Sequence, residues 1–202
     1  MRKLSDISVT NKTVALRADL NVPVKEGIIL DDSRIEAVIP TVKYLLTKNC
    51  KIILMSHFGR PKAGTFDPQA SLQPIARRIG EMLNQEVDFI SAIKDVKFKS
   101  TISLLENTRF LIGELENNEE LSKNLGSMAE VYVFDAFGTA HREQASTYGA
   151  IYQANVSCAG LLLEAEIEAL TKAIHSNDKP LLSIVGGSKV STKLEVLKNL
   201  SQ

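Results

Sequence analysis

The sequence is short of most features that would place it quickly. Its 24 basic and 24 acidic residues cancel to a formal net charge of zero. That removes the broad basic field with which proteins gather nucleic acid, so any anion site has to be a local concentration of charge. Only two cysteines occur, Cys50 and Cys158, and they form no CxxC spacing; both are expected to be reduced, buried thiols. No apolar run approaches the ~18 residues of a membrane span. The opening MRKLSDISVT lacks the apolar stretch of a signal peptide. A soluble, cytoplasmic protein with no nucleic-acid or membrane partner is the expectation. HExxH, paired CxxC and EF-hand loops are missing, which argues against a metal centre built by the protein itself. A GxSxG elbow is missing too, so serine hydrolysis has no visible nucleophile. Internal repeats and low-complexity tracts are absent.

What remains is an ordinary globular composition, 44% apolar and 24% charged over 202 residues. That is enough for one well-buried domain, or one domain plus a fragment. Six short runs rich in Val, Ile and Leu read as buried strands: Thr13–Ala18, Lys51–Ser56, Glu86–Ile90, Thr101–Leu105, Val131–Asp135 and Leu181–Val185. Helical patterns lie between most of them. From Asp32 to Asn49, Ile35, Val38, Ile39, Val42, Leu45 and Leu46 mark one helical face, with Pro40 expected to kink it. Ser71 reads as the N-cap of a helix running to Gln85, Asn117–Met128 as a short polar helix, and Gly160–His175 as the most continuous one. Alternating strands and helices predict an α/β fold with an open, mostly parallel, Rossmann-like sheet flanked by helices.

Five polar motifs sit just past or at these strands: RADLNVP (Arg17–Pro23), SHFGRP (Ser56–Pro61), ENTRF (Glu106–Phe110), DAFGTAHR (Asp135–Arg142) and VGGSKVSTK (Val185–Lys193). Four carry one arginine each, and Arg34 opens the first helix. In open parallel sheets, ligands bind beyond the carboxyl ends of the strands. Arginines gathered there suit a small, highly charged anion, because the guanidinium fork pairs phosphate or carboxylate at two points. Asp19 and Asn21 point to one side of an extended segment and could bond a hydroxyl-bearing ligand. Arg17 lies inside its strand, where a structural ion pair is expected. His57 and Arg60 flank Gly59, whose missing side chain lets backbone amides approach an anion. Glu106 and Arg109 could simply pair with each other, and DAFGTAHR crowds Asp135, His141 and Arg142 around small residues. GGSKVSTK reads as a phosphate cradle at a helix start, with Lys189 and Lys193 four apart, although it is not a Walker A loop.

Taken together and in this order, RADLNVPVK, SRIEAVIPT, SHFGRP, ENTRF, DAFGTAHR, CAG and VGGSKVSTKL resemble the phosphoglycerate kinase family, over essentially Val14 to Leu200. The resemblance implies two α/β lobes joined by a helical hinge. One lobe holds 3-phosphoglycerate or 1,3-bisphosphoglycerate in a basic patch; the other holds Mg-ADP or Mg-ATP. By similarity, Asp19 and Asn21 would hold the glycerate end, and Arg34, His57, Arg60, Arg109 and Arg142 the charged groups. Arg34 would also sit near the phosphoryl in flight. Lys189 would stabilise the transferring group, and Lys193 would contact nucleotide phosphates. Arg34 and Lys189 are thus the expected catalytic pair. Phe58, Thr108 and Gln144 depart from the commoner leucine, valine and histidine of the family.

By the same likeness, residues 1–159 form the phosphoglycerate lobe, 160–178 the interlobe helix and 179–202 the start of a nucleotide lobe. The end of the sequence reads as a truncation inside that lobe, so Mg2+ and ATP or ADP would be held mainly by parts not in this sequence. The isolated chain is expected to be catalytically inactive, and the intact protein a glycolytic, monomeric phosphotransferase. Two rivals are a non-catalytic phosphoglycerate-binding fragment and a nucleotide-binding domain built on GGSKVSTK.

Overall fold

The computed structural model describes residues 1–93 and 99–175, together with Ile184, Leu194 and Lys198. The expected strand Leu181–Val185, Lys189 and Lys193 therefore lie outside the described residues, apart from Ile184 itself. The chain divides into two compact units, Met1–Glu168 and Ala169–Gln202. The first unit contains all the described sheet strands.

Its centre is a six-stranded sheet. In chain order the sheet strands are β1 (Thr13–Ala18), β4 (Lys51–Met55), β5 (Val87–Ile90), β6 (Ile102–Leu105), β7 (Val131–Asp135) and β8 (Ser157–Ala159). In space they run β5-β6-β4-β1-β7-β8, and every pairing is parallel. A separate two-stranded ribbon, β2 (Val24–Lys25) and β3 (Ile28–Ile29), follows the RADLNVP motif. Five helices complete the unit or leave it: α1 (Ser33–Thr47), α2 (Gln73–Leu83), α3 (Glu119–Ser127), α4 (Ala150–Gln153) and α5 (Leu161–His175).

Alternation along the strands decides which helices cover which face. Val14 and Leu16 of β1 join Ile52, Leu54, Leu104 and Val133 in one core, filled by Ile35, Val38, Val42 and Leu45 of α1 and Ile75 and Ile79 of α2. Ala15 points the other way, with Ile53, Met55 and Tyr132, against Leu121 and Leu125 of α3 and Ala150 of α4. The central strands are buried on both faces, as a parallel sheet requires. Cys50 and Cys158 are both free and buried. Burial pushes both thiols up, that of Cys158 to about 12.

Several expected boundaries move. Helix α1 runs across Pro40 without interruption. Helix α2 starts two residues after Ser71, with Leu72 at the N-cap position; the Ser71 hydroxyl still accepts from Gln73 N at 3.2 Å but is otherwise held by Glu106. Helix α3 is capped by Asn118, whose side chain accepts from Leu121 N. Strand β8 and the β2–β3 ribbon carry no sequence signal above background, being two or three residues long.

Helix α5 is anchored at its start from two directions. Asp135 Oδ1 accepts from Leu163 N at 2.8 Å, which caps the helix from the end of β7. Glu164 and Glu168, like charges one turn apart, are reconciled by Lys3, whose Nζ lies 2.6 and 2.8 Å from them. The first residues also touch the sheet edge, with Lys3 bridging Ala159 and Ala159 N donating to Arg2 O.

Candidate functional site

Because all six strands run the same way, the ends of β1, β4, β6 and β7 open on one rim. The chain leaves β1 toward β4 on one side and β7 toward β8 on the other, so these neighbours form a switch point, where open α/β sheets leave a crevice. RADLNVP, SHFGRP, ENTRF and DAFGTAHR all lie at this rim.

Hydrogen bonds, most of them buried, stitch the first three together. Ser56 Oγ accepts from Leu20 N at 2.8 Å, and Asn21 Oδ1 accepts from Gly59 N at 2.9 Å. Gly59 sits at φ +58 with open space around it, so the conformation rather than crowding asks for glycine. Asn107 uses both ends of its amide. Its Oδ1 accepts from Phe58 N and Arg109 N, and its Nδ2 donates to the carbonyls of Phe58 and Ala70. Thr108 N closes the seam onto Ser56 O at 3.1 Å. The loops bearing His57 and Arg109 are thereby one object.

Glu106 does not pair with Arg109. Its buried carboxylate accepts from Ser71 Oγ, Leu72 N and Asn107 N at 2.8–2.9 Å, fixing the entry to α2. Arg109 is left buried, and its Nε has no partner; the same holds for Nε of Arg142. Among the described residues, Arg60, Arg109 and Arg142 enter no ion pair. Arg34, exposed at the start of α1, pairs with Asp19.

The charges nevertheless feel one another. Burial, and then Arg17, Arg109, Arg142 and Arg34, drive His57 down to about 3. Arg109 is lowered by burial and by Arg142, then partly restored by Glu114, with Arg17 and Arg60 adding to the repulsion. The structure thus brings Arg34, His57, Arg60, Arg109 and Arg142 into one electrostatic neighbourhood, with Asp19 and Asn21 at its edge. Buried guanidinium nitrogens without a partner are costly in a protein standing alone. Their arrangement suits a ligand that carries several negative charges.

Two expectations need correcting. Arg17 makes no direct ion pair: its buried guanidinium donates from Nε to Ser146 Oγ at 2.9 Å and from Nη1 to Ala18 O, and it approaches His57 Nδ1 at 3.4 Å. Nor does DAFGTAHR crowd its polar groups together. Asp135 turns into the fold, where it accepts from Thr41 Oγ1 and Leu163 N, and burial raises its pKa; His141 stands exposed. Asn107, Glu114 and Ser146 belong to the site's framework, and no local sequence pattern singled out their roles. Glu114 accepts from both the amide and the hydroxyl of Ser146, 32 residues on.

Among the described residues no three His, Cys, Asp or Glu side chains gather as a metal site. The donor set at this rim is cationic and does not fit magnesium. No helix among the described residues is long and apolar enough to cross a membrane.

Comparison with known proteins is consistent throughout. The family profile described as phosphoglycerate kinase matches residues 4–202. The phosphoglycerate kinase of Desulfovibrio desulfuricans is 48% identical over 199 residues, 98% of this chain and 51% of that protein. That of Francisella tularensis subsp. holarctica is 50% identical over the same length and share. Among solved structures, phosphoglycerate kinase from Coxiella burnetii superposes with a TM-score of 0.90 at 44% identity, covering 98% of this chain and 51% of the other. The Pyrococcus horikoshii enzyme gives 0.86 at 37% identity. The chain spans about half the length of the curated relatives it matches.

Proposed function

The chain belongs to the phosphoglycerate kinase family, and from that premise we propose that its first unit is the half of such an enzyme that holds 3-phosphoglycerate. The parent reaction moves a phosphoryl group between ATP and the carboxyl group of 3-phosphoglycerate. The observation that carries the assignment is the pair of buried, partnerless Nε atoms on Arg109 and Arg142 at the rim. A phosphate or carboxylate accepts from such groups in two-point geometry and cancels their mutual repulsion.

In this reading Asp19 and Asn21 bond the glycerate hydroxyl end, and Arg34, His57, Arg60, Arg109 and Arg142 take the charged ends. Residues 1–159 are the phosphoglycerate lobe, 160–178 the link and 179–202 the beginning of the nucleotide lobe. Arg34, paired with Asp19 at the mouth, swings to the phosphoryl in flight. Lys189 neutralises the transferring group and Lys193 holds nucleotide phosphates, with magnesium entering on ATP or ADP. Such a transfer needs positioning and charge neutralisation more than covalent chemistry. A polypeptide limited to these 202 residues is expected to bind 3-phosphoglycerate without turning it over.

Calorimetry on the 202-residue chain tests this directly. Saturable binding of 3-phosphoglycerate, weakened by salt and much weaker for unphosphorylated glycerate, is the expected result. A folded chain giving no binding heat across a range of temperatures would overturn the assignment, and a coupled assay with Mg-ATP separates binding from turnover.

A further inference from the structure

His57 sits among guanidiniums, yet the geometry around its ring makes it an unusual member of an anion site. Arg17 Nη2 lies 3.4 Å from His57 Nδ1. A guanidinium nitrogen can only donate, so the ring nitrogen facing it must carry a lone pair rather than a proton. No other hydrogen bond is made to the ring by the described residues, which leaves the proton to Nε2.

Arg17 itself has little freedom to turn away. It is fully buried, with Nη1 on the carbonyl of Ala18 and Nε on the hydroxyl of Ser146. That hydroxyl is directional, because its own proton goes to Glu114 Oε1 and only a lone pair is left for Arg17. Glu114 is fixed in turn by Ser146 N at 3.0 Å on its other oxygen. Tyr132 holds the same turn by donating to Ser146 O. The buried carboxylate supplies the counter-charge that Arg17 lacks in direct contact.

We propose that Glu114, acting through Ser146 and Arg17, is a positioning residue that holds His57 as a neutral imidazole with its proton on Nε2. His57 then serves the anion site as a hydrogen-bond donor and adds no charge of its own. The charged groups acting on His57 are all cationic: Arg17 of β1, Arg109 after β6, Arg142 after β7 and Arg34 of α1. They favour the same neutral form, so geometry and field agree. This rests on the phosphoglycerate-binding reading only for what His57 donates to; the protonation state itself is a property of the free chain.

The test is nitrogen-15 spectroscopy of the histidine rings in the ligand-free 202-residue chain. His57 is expected to show a protonated Nε2 and a bare Nδ1 from pH 8 down to pH 5. An imidazolium at pH 6, or a proton on Nδ1, overturns the proposal. In Glu114→Gln and Ser146→Ala the fixed tautomer is expected to give way to a mixture of both. A folded variant of each that keeps the single Nε2–H form removes Glu114 from the account. If neither variant folds, the unsubstituted chain still decides the tautomer, and Glu114→Asp, with the charge drawn back by one methylene, decides the relay. Failure to bind 3-phosphoglycerate would leave these spectra unchanged, so the two readings fail separately.

Discussion

Asn107 grips Phe58 twice, accepting from its amide at 3.0 Å and donating to its carbonyl at 2.7 Å. Two loops 49 residues apart in sequence are joined as if they were adjacent strands. The contact lies one residue from His57 and two from Arg109, so it fixes the separation of those two side chains. Asn107→Ala is expected to cost roughly 1–3 kcal/mol, because the groups it served are left buried and unpaired. Urea unfolding measures the loss, and calorimetry should show weaker binding in the surviving folded fraction. An unchanged midpoint would remove Asn107 from the framework.

Arg109 opposes the stability of the free chain. It is buried, its Nε is unpaired, and Arg142 and Arg17 repel it. Arg109→Met is expected to raise the melting temperature without ligand, since relief of an unpaired buried donor is worth roughly 1–3 kcal/mol. The same substitution should weaken 3-phosphoglycerate binding by about 1.5–3 kcal/mol, the value of a charge-assisted bond. Stability and affinity moving in opposite directions is the diagnostic outcome. A variant that melts lower and binds equally well would contradict it.

The position of His57 also fixes a pH dependence. Its folded pKa is pushed down to about 3, while an unfolded histidine titrates near 6.5. Between these values the unfolded chain binds the extra proton. Stability from this group is therefore complete above about pH 6.5 and falls as pH drops toward about 3, with a limiting slope near 1.4 kcal/mol per pH unit. Unfolding free energies measured at closely spaced pH values should show this slope, and His57→Gln should flatten it between about pH 4 and 6.5. Parallel curves for the two proteins would rule out a neutral buried imidazole.

Gly160 marks the tightest packing at the start of α5. A Cβ there would lie 2.2 Å from Asp135 Cγ, the residue that caps the helix. Gly160→Ala is expected to push Asp135 off Leu163 N and to destabilise by about 1–3 kcal/mol, as overpacking does. Hydrogen exchange at Leu163 should quicken relative to the centre of β7. Equal protection in both proteins would show that the site relaxes without cost.

The sheet was the most legible part of the sequence. β1 and β7 are mostly apolar runs, with Arg17 inside β1 and Asp135 closing β7, and their bounds match the pattern because both faces of these parallel strands are buried. The motifs at the strand ends were legible for the same reason, since parallel strands deliver their loops to one rim. Pairings across the fold were not. Glu106 stands three residues from Arg109, so proximity in sequence suggested a pair; the amides at the entry to α2 satisfy the carboxylate better. Glu114 and Ser146 meet only after the chain has crossed from α3 through β7 and back. No periodicity encodes such a meeting. β8 escaped because three residues at a sheet edge need the N-terminal segment to complete them, and that dependence is invisible locally.

The grip of Lys3 on Glu164 and Glu168 sets a timetable for synthesis. Arg2 and Lys3 are made early, and their partners Ala159, Glu164 and Glu168 come more than 150 residues later. At ~5–20 residues per second, the opening of the chain waits on the order of ten seconds for a place to dock. β1 meets β4 early, while its other neighbour β7 and then β8 close the sheet last. The segment around Lys3 is therefore a clasp fastened late, and a nascent chain stalled before Glu164 has emerged would display a half-finished sheet with Arg2 and Lys3 adrift.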